Sequence, residues 1–365
     1  MKFAVLSPFY PYRGGISQFT MMLCRELNME NEVKVFSFSR LYPNFLFPGK
    51  SQFVENDEPP ITQPQSVRIL DSINPFSYEK TVKAINNYQP DVLIIAYWTS
   101  FFAPACGYIA KRLKSKTKII GLIHNAIPHE PHFFDSPLAS MFFRQCHKFV
   151  VLSESVKKDI LRLYPSAQCL MLPHPLYDNF GEPLEKKEAR KRFNIDRNKK
   201  TLLFFGLIRD YKGLDLLIEA MSRLDDSFQL IIAGECYGDF GKYKRQIDTS
   251  PARDRIFALN RYINNSEVPT LFSAADLLVA PYRSATQSGV IPIACHFELP
   301  VLVTNVGGLR ETVEKSGIGL VCQPQPDSIA EGIKQFFNVE NKLFSDKFKK
   351  IKDELSWDKF ARNFL

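Results

Sequence analysis

The sequence predicts an α/β chain of two Rossmann-like domains facing across a cleft, and three observations carry that prediction. Short apolar strands alternate with helical stretches along nearly the whole chain. The alternation pauses once, at a proline-rich segment near the middle, and then starts over. The loops that lead from strands into helices are rich in glycine and small polar residues, a composition that lets backbone N–H groups approach an anion. At 365 residues the chain exceeds what one hydrophobic core normally holds, so two domains are expected.

In the first half, residues 2–7 form a strand, followed by PFYPYRGGISQF and a helical pattern over 16–27. Strand, Gly14-Gly15, helix is a phosphate-type turn, although a glycine pair before a helix is more often a plain turn. Residues 32–38 read as the next strand. Residues 40–65 are rich in Pro, Phe and Tyr and contain NFLFPG at 44–49. They read as a long loop, either a flap that contacts substrate or membrane or one whose aromatics tuck onto the core. A helix is expected at 75–88, a strand from 92, a helix at 103–113 and a strand at 118–123. The uncharged stretch 92–110 is long enough to cross a bilayer, but Trp98-Thr99-Ser100 and Pro104 break it into strand, loop and helix.

The strand at 118–123 ends in His124-Asn125, where side chains of doubly wound sheets face the crevice. A functional and a structural role both stand for this histidine. The following HEPH, with His129 and His132, lacks the four-residue spacing that aligns two ligands on a helix face, so no zinc site is expected. A strand at 149–152, a helix capped by Ser153 and a strand at 168–172 follow. LPHPLYDNFGEPLE (172–185) has three prolines and no periodicity, and reads as the interdomain linker. The run KKEARKR (186–192) reads as the solvated face of a short helix.

The pattern then restarts. A strand at 201–205 ends in GLIRDYKG, a helix covers 214–224, and a strand at 228–233 ends in Gly234-Glu235. After a helix, a strand at 255–259 and a helix at 268–273 comes VAPYRSATQSGVIPIACHFELPVLVTNVGG. It reads as strand, small polar loop (283–289), helix to about 298, strand (301–304) and glycine turn. A short helix, a strand at 319–322 and a helix at 327–337 complete the domain. The tail ELSWDKFARNFL has apolar positions spaced for one helical face.

Composition narrows the function. Apolar content of 45% and charged content of 24% are ordinary for a globular protein. The net charge of +8 divides evenly between the halves, which argues against a basic arm for nucleic acid. It fits an enzyme that visits anionic substrates or an anionic membrane surface. Seven cysteines, an odd number at wide spacings without CxxC, read as buried reduced thiols. The N-terminus lacks a signal-peptide layout, so a cytoplasmic location, with peripheral contact at the inner face of the membrane as an option, is expected. No GxGxxG follows the first strand, which disfavours a nicotinamide-dependent dehydrogenase.

Taken together, the GG loop, the strand ending in His124, VVLSES (150–155), GLIRDYKGLDLLIEAM, LIIAGE, ADLLVAPYRS, LPVLVTNVGGLRETV and SWDKF resemble the retaining glycosyltransferases of family 4, with the GT-B fold. The resemblance covers nearly the whole length. It implies an acceptor-side domain at 1–175, a nucleotide-sugar-binding domain at 176–350 and a C-terminal helix at 351–365 that packs back on the first domain. It also implies transfer of a hexose-type sugar, with retention, from a nucleotide-diphosphate donor to a hydroxyl of a glycan or lipid-linked acceptor in surface polysaccharide synthesis. No metal or other cofactor is implied, because Arg, Lys and helix N-termini can hold the diphosphate. In such a front-face reaction the departing phosphate itself takes the acceptor proton.

Residue by residue, Lys212 matches the family's phosphate lysine, Gly14 and Gly15 its first-domain phosphate loop, Gly206 the glycine after a strand, and His124 its cleft histidine. Two departures stand out. Leu207 occupies the place of the family's arginine, and Arg209 is the neighbour able to supply that charge. Ala285 and Ile293 occupy the places of two glutamates that help hold the donor. Residues 285–290, ATQSGV, resemble a subgroup with TQSG there. Thr286, Gln287, Ser288, Gly289 and Val290 are therefore the expected donor loop, with Gln287 in place of a carboxylate. Glu311 matches a glutamate near the ribose or sugar, or else serves the first turn of its helix. Glu235 is a weaker candidate. The missing glutamates keep two alternatives in view: a non-catalytic sugar-nucleotide-binding partner protein, and another GT-B enzyme such as a nucleotide-sugar epimerase or a phosphorylase.

Overall fold

The computed structural model describes residues 1–43, 47, 51–54, 64–128, 132–338 and 342–365, with main chain alone at 342 and 343. Most of NFLFPG, all but Phe47, and His129 of HEPH lie outside the described residues. The chain divides into two compact units, Met1–His174 with Trp357–Leu365, and Pro175–Ser356.

The first unit runs β1 (Lys2–Leu6), α1 (Gly15–Leu27), β2 (Glu32–Arg40), β3 (Gln65–Asp71), α2 (Pro75–Tyr88), β4 (Val92–Tyr97), α3 (Ala103–Arg112), β5 (Lys118–Ile123), α4 (Asp135–Phe143), β6 (Lys148–Val151), α5 (Glu154–Leu163) and β7 (Cys169–Met171). Its seven strands lie parallel in the order β3-β2-β1-β4-β5-β6-β7. Every residue of β4 is buried, as a strand covered on both faces requires. The strand with the most membrane-like composition is thus the middle of a sheet, and among the described residues no helix is long and apolar enough to cross a membrane. Side-chain caps start two of the helices. Ser153 accepts the Val156 N–H at 3.3 Å to start α5, and Asn74 accepts the Phe76 N–H at 3.1 Å with Pro75 opening α2.

The second unit runs α6 (Lys186–Arg192), β8 (Lys200–Phe205), α7 (Leu214–Met221), β9 (Phe228–Ala233), α8 (Gly241–Thr249), β10 (Ile256–Leu259), α9 (Val268–Ala274), β11 (Leu277–Ala280), α10 (Val290–His296), β12 (Val301–Thr304), α11 (Gly307–Ser316), β13 (Gly319–Cys322), α12 (Pro326–Asn338) and α13 (Lys342–Glu354). Its six parallel strands are ordered β10-β9-β8-β11-β12-β13. In each sheet the strand order reverses once, between β1 and β4 and between β8 and β11. The crevice outside the carboxyl ends of such a pair is where open α/β sheets bind ligands.

Several expectations are corrected. Residues 65–71 form β3, an edge strand with register shifts against β2. Residues 135–143 form α4, which the aromatic-rich sequence did not signal. The helix after the small polar loop ends at His296, and Glu298 takes a left-handed conformation at φ 52°. The proline-rich segment is no free linker: Leu176, Tyr177 and Phe180 are buried in the second unit's core. KKEARKR is not wholly solvated either. Arg190 is buried, donating to Asp276 at 2.5 Å and to the Ala274 and Arg197 carbonyls. The stretch expected as one helix at 351–365 is instead the end of α13, a break at Leu355-Ser356, and then α14 (Trp357–Ala361). α14 belongs to the first unit, where Trp357 and Phe360 pack edge-on against Phe19 of α1 at 4.9 and 5.5 Å. All seven cysteines are free thiols; Cys24, Cys106, Cys146, Cys295 and Cys322 are buried.

Candidate active site

In the second unit the candidate residues gather at the carboxyl ends of β8, β11 and β12. β8 ends at Gly206, whose φ of 97° turns the chain. A short 3₁₀ turn, Asp210–Lys212, then carries the lysine back under it. A Cβ on Gly206 would stand 3.3 Å from Lys212 Nζ and 3.5 Å from Val290 Cγ2. Gly206, Lys212 and the start of α10 therefore converge on one point. Two glycines allow the loops to close this tightly. A Cβ on Gly213 (φ 65°) would lie 2.0 Å from the Pro281 carbonyl oxygen. One on Gly307 (φ 47°) would lie 1.5 Å from the Ala285 carbonyl oxygen. No other residue fits either place.

Electrostatics sorts the cations of this edge. Arg283 is neutralised by Asp215 through two bonds of 2.7 and 2.5 Å, and Lys242 by Asp210. Lys212 differs. It is 9% exposed, and among the described residues its ammonium meets no carboxylate or hydrogen-bond acceptor. The Tyr282 ring lies 5.4 Å from it. Burial above all presses the Lys212 pKa below the usual lysine value; the Arg209 charge adds to this and Tyr211 opposes it. Arg209 is exposed, lies 5.0 Å over the Tyr237 ring and likewise meets no carboxylate among the described residues. A buried ammonium without a counter-ion beside a second bare cation is a strong place for an anion.

The TQSG loop lies along the same edge. Ser288 Oγ hydrogen-bonds with Tyr282 Oη at 3.2 Å and accepts weakly from the Val290 N–H at 3.4 Å. Gly289 packs near the Tyr177 ring, 3.7 Å from where its Cβ would be. Thr286 and Gln287 are partly buried between these points. α10 is only about two turns long, so the cations rather than its dipole dominate here. Ala285 and Ile293, in the places of the expected glutamates, are both buried in the core. Glu311 turns along its own helix to Lys315 at 2.5 Å. Glu235 is buried, and its carbonyl accepts from the Ile208 N–H at 2.9 Å.

In the first unit Gly14 (φ 107°) precedes α1, with open space where its Cβ would be. Gly15 begins the helix, whose first turn carries no acidic residue. His124 lies at the end of β5, 4% exposed, its N–H on the Tyr97 carbonyl at 2.8 Å. Phe19 packs edge-on against both His124 and His174, at 4.9 and 5.1 Å. Burial, with His174 adding, holds the His124 pKa down to about 3. The imidazole is therefore neutral at pH 7, a hydrogen-bonding group and not a cation.

Sequence reasoning missed Tyr282, Tyr177 and His174. Tyr282 had a local signal, its place just after β11. Tyr177 and His174 sit in the proline-rich segment and reach their partners only through tertiary packing.

Residues 13–174 match the family described as Glycosyltransferase Family 4, and residues 185–352 the family described as Glycosyl transferases group 1. The lipopolysaccharide core biosynthesis mannosyltransferase LpsB of Rhizobium meliloti is 32% identical over 142 residues, 37% of this chain and 39% of that protein. The GDP-mannose:glycolipid 4-beta-D-mannosyltransferase of Xanthomonas campestris is 35% identical over 122 residues, 33% and 34%. The chain spans less than half the length of the curated relatives it matches. The solved sucrose-phosphate synthase of Thermosynechococcus elongatus shares the fold, with a TM-score of 0.78 at 17% identity over 100% of this chain and 97% of that one.

Proposed function

The chain belongs to glycosyltransferase family 4 and has the GT-B fold, and from that membership we propose that it transfers a hexose from a nucleotide-diphosphate sugar to a glycan hydroxyl with retention of configuration. The observation that carries this reading is Lys212, a buried ammonium with no counter-ion among the described residues, next to bare Arg209 and the TQSG loop. A diphosphate supplies the missing negative charge. As the anomeric carbon–phosphate oxygen bond breaks, charge grows on the diphosphate, and Lys212, Arg209 and the N–H groups of residues 286–290 stabilise it. The acceptor oxygen bonds the anomeric carbon on the same face, and its proton passes to the departing phosphate. Within the first unit, the candidates for substrate contact are Gly14 and Gly15 at the start of α1 and the neutral His124 at the end of β5.

The Xanthomonas campestris relative favours GDP-mannose as the first donor to try and a glycolipid as the acceptor. The excess positive charge suits work at an anionic membrane surface. Thr286→Ala with Ser288→Ala should weaken nucleotide binding about a hundredfold or more, as expected for two lost hydrogen bonds to a charged group; unchanged affinity in calorimetry counts against the loop's role. One observation favours a second reading. Ala285 and Ile293 are core residues, so no carboxylate replaces the family's pair at those positions. A non-catalytic sugar-nucleotide-binding protein would bind donor but release no nucleotide with any acceptor.

A further inference from the structure

A cavity of about 620 Å³ opens in the first unit among the loops that follow β3, β4 and β5 and the start of α4. None of the candidate residues described above lines it. Its inner end is polar: Ser72, Ser100 and Asp135 line it at 4%, 4% and 2% exposure. Its outer end is apolar and aromatic, with Phe101 and the 42% exposed Phe134 in its wall. Phe133, 94% exposed, stands edge-on to Phe134 with ring centres 5.3 Å apart.

The polar end has bonding capacity left over. Asp135 Oδ1 accepts the Ser100 hydroxyl, and Oδ2 accepts the His132 N–H at 2.6 Å. Those bonds, and the favourable place of a carboxylate in the first turn of α4, account for its structural role. The His132 imidazole Nδ1 also lies 3.6 Å from Oδ2, each oxygen keeps a further lone-pair site, and among the described residues no Lys or Arg pairs with this carboxylate. Ser72 Oγ is buried with no hydrogen-bond partner among the described residues. A buried hydroxyl left so costs stability and calls for a ligand or water.

We propose that this cavity binds one sugar ring of the acceptor glycan. The ring's apolar CH face lies against Phe134 and Phe101. Its hydroxyls donate to Asp135 and exchange a hydrogen bond with Ser72. A hydrocarbon chain in the same place would leave the Ser72 hydroxyl buried without a partner and the remaining lone pairs of the carboxylate unused. A sugar ring, apolar on its faces and hydroxylated at its rim, satisfies both ends, and the volume suits a small ligand. Assigning that sugar to the acceptor rests on the glycosyl-transfer reading; the chemistry of the cavity does not.

The test is saturation-transfer NMR on the full chain with methyl α-mannopyranoside, methyl α-glucopyranoside and methyl α-galactopyranoside, with 1-hexanol as the apolar probe. UDP and GDP are titrated in parallel. At least one glycoside should bind. Asp135→Asn should weaken it roughly tenfold, the loss of a charge-assisted hydrogen bond, and Phe134→Ala roughly fivefold. Nucleotide affinity should stay as in the unaltered chain. Phe134→Ala alters a part-exposed ring and decides alone if Asp135→Asn does not melt cooperatively. The proposal is overturned if no glycoside binds, if glycoside binding ignores Phe134→Ala, or if 1-hexanol alone binds. Failure of the unaltered chain to bind UDP or GDP would sink the donor reading and leave the glycoside result standing, so the two failures are distinguishable.

Discussion

Lys212 and His124 are both buried and titratable, and the protein treats them in opposite ways. Lys212 keeps an ammonium where water is scarce and where no carboxylate among the described residues contacts it, a cost that a bound anion removes. Lys212→Ala should therefore raise the nucleotide Kd by roughly ten- to a hundredfold, the scale of a charge-assisted hydrogen bond, with little loss of stability. Calorimetric titration checks this, and a gain in thermal stability without loss of affinity would mark Lys212 as a mere structural burden. His124 is kept neutral instead. The unfolded chain takes up its proton near pH 6.5, while the folded chain resists until about pH 3. Stability linked to His124 is thus full above pH 6.5 and falls as pH drops toward 3. His124→Asn should flatten part of that slope in urea melts between pH 6.5 and 4; parallel slopes would show that burial does not set the His124 pKa. Both residues were legible in the sequence, because each stands at a fixed offset from the end of an apolar strand. Tyr282 and Tyr177 were not singled out, since an aromatic residue after a strand or among prolines looks like ordinary core until the chain folds.

At the scale of elements, the second unit's site depends on loops held closer than a side chain allows. Gly307→Ala places a methyl group 1.5 Å from the Ala285 carbonyl oxygen and asks alanine to hold a left-handed backbone. It should cost about 2 kcal/mol or more and weaken nucleotide binding by displacing residues 285–288. Denaturant midpoints with and without GDP or UDP measure both effects, and a variant that binds as tightly as the original would uncouple this contact from the donor loop. Most strands were legible because parallel strands covered on both faces read as continuous apolar runs, β4 and β9 above all. β3 was not, being a half-exposed edge strand with register shifts. α4 was not, because DSPLASMFF is apolar on more than one side and shows no single stripe. The tail's single apolar face concealed the break at Ser356, which divides residues serving different cores.

For the whole molecule, the domain count followed from length and from one restart of the alternation, and the structure has two compact units with separate cores. The last helix belongs to the first unit although it follows the second in sequence. Trp357→Ala should remove about 3–5 kcal/mol from the first unit, the usual cost of emptying a buried aromatic site, and lower the transition of that unit more than the other in calorimetry. A uniform shift of both transitions would mean that the units unfold as one. Retaining sugar transfer is tested by incubating the purified chain with α-linked GDP- and UDP-hexoses and a lipid-linked glycan acceptor and reading the product by NMR. Stoichiometric nucleotide diphosphate and a new α-glycoside are expected. Donor binding without nucleotide release for any donor and acceptor, or a β-linked product, would contradict it.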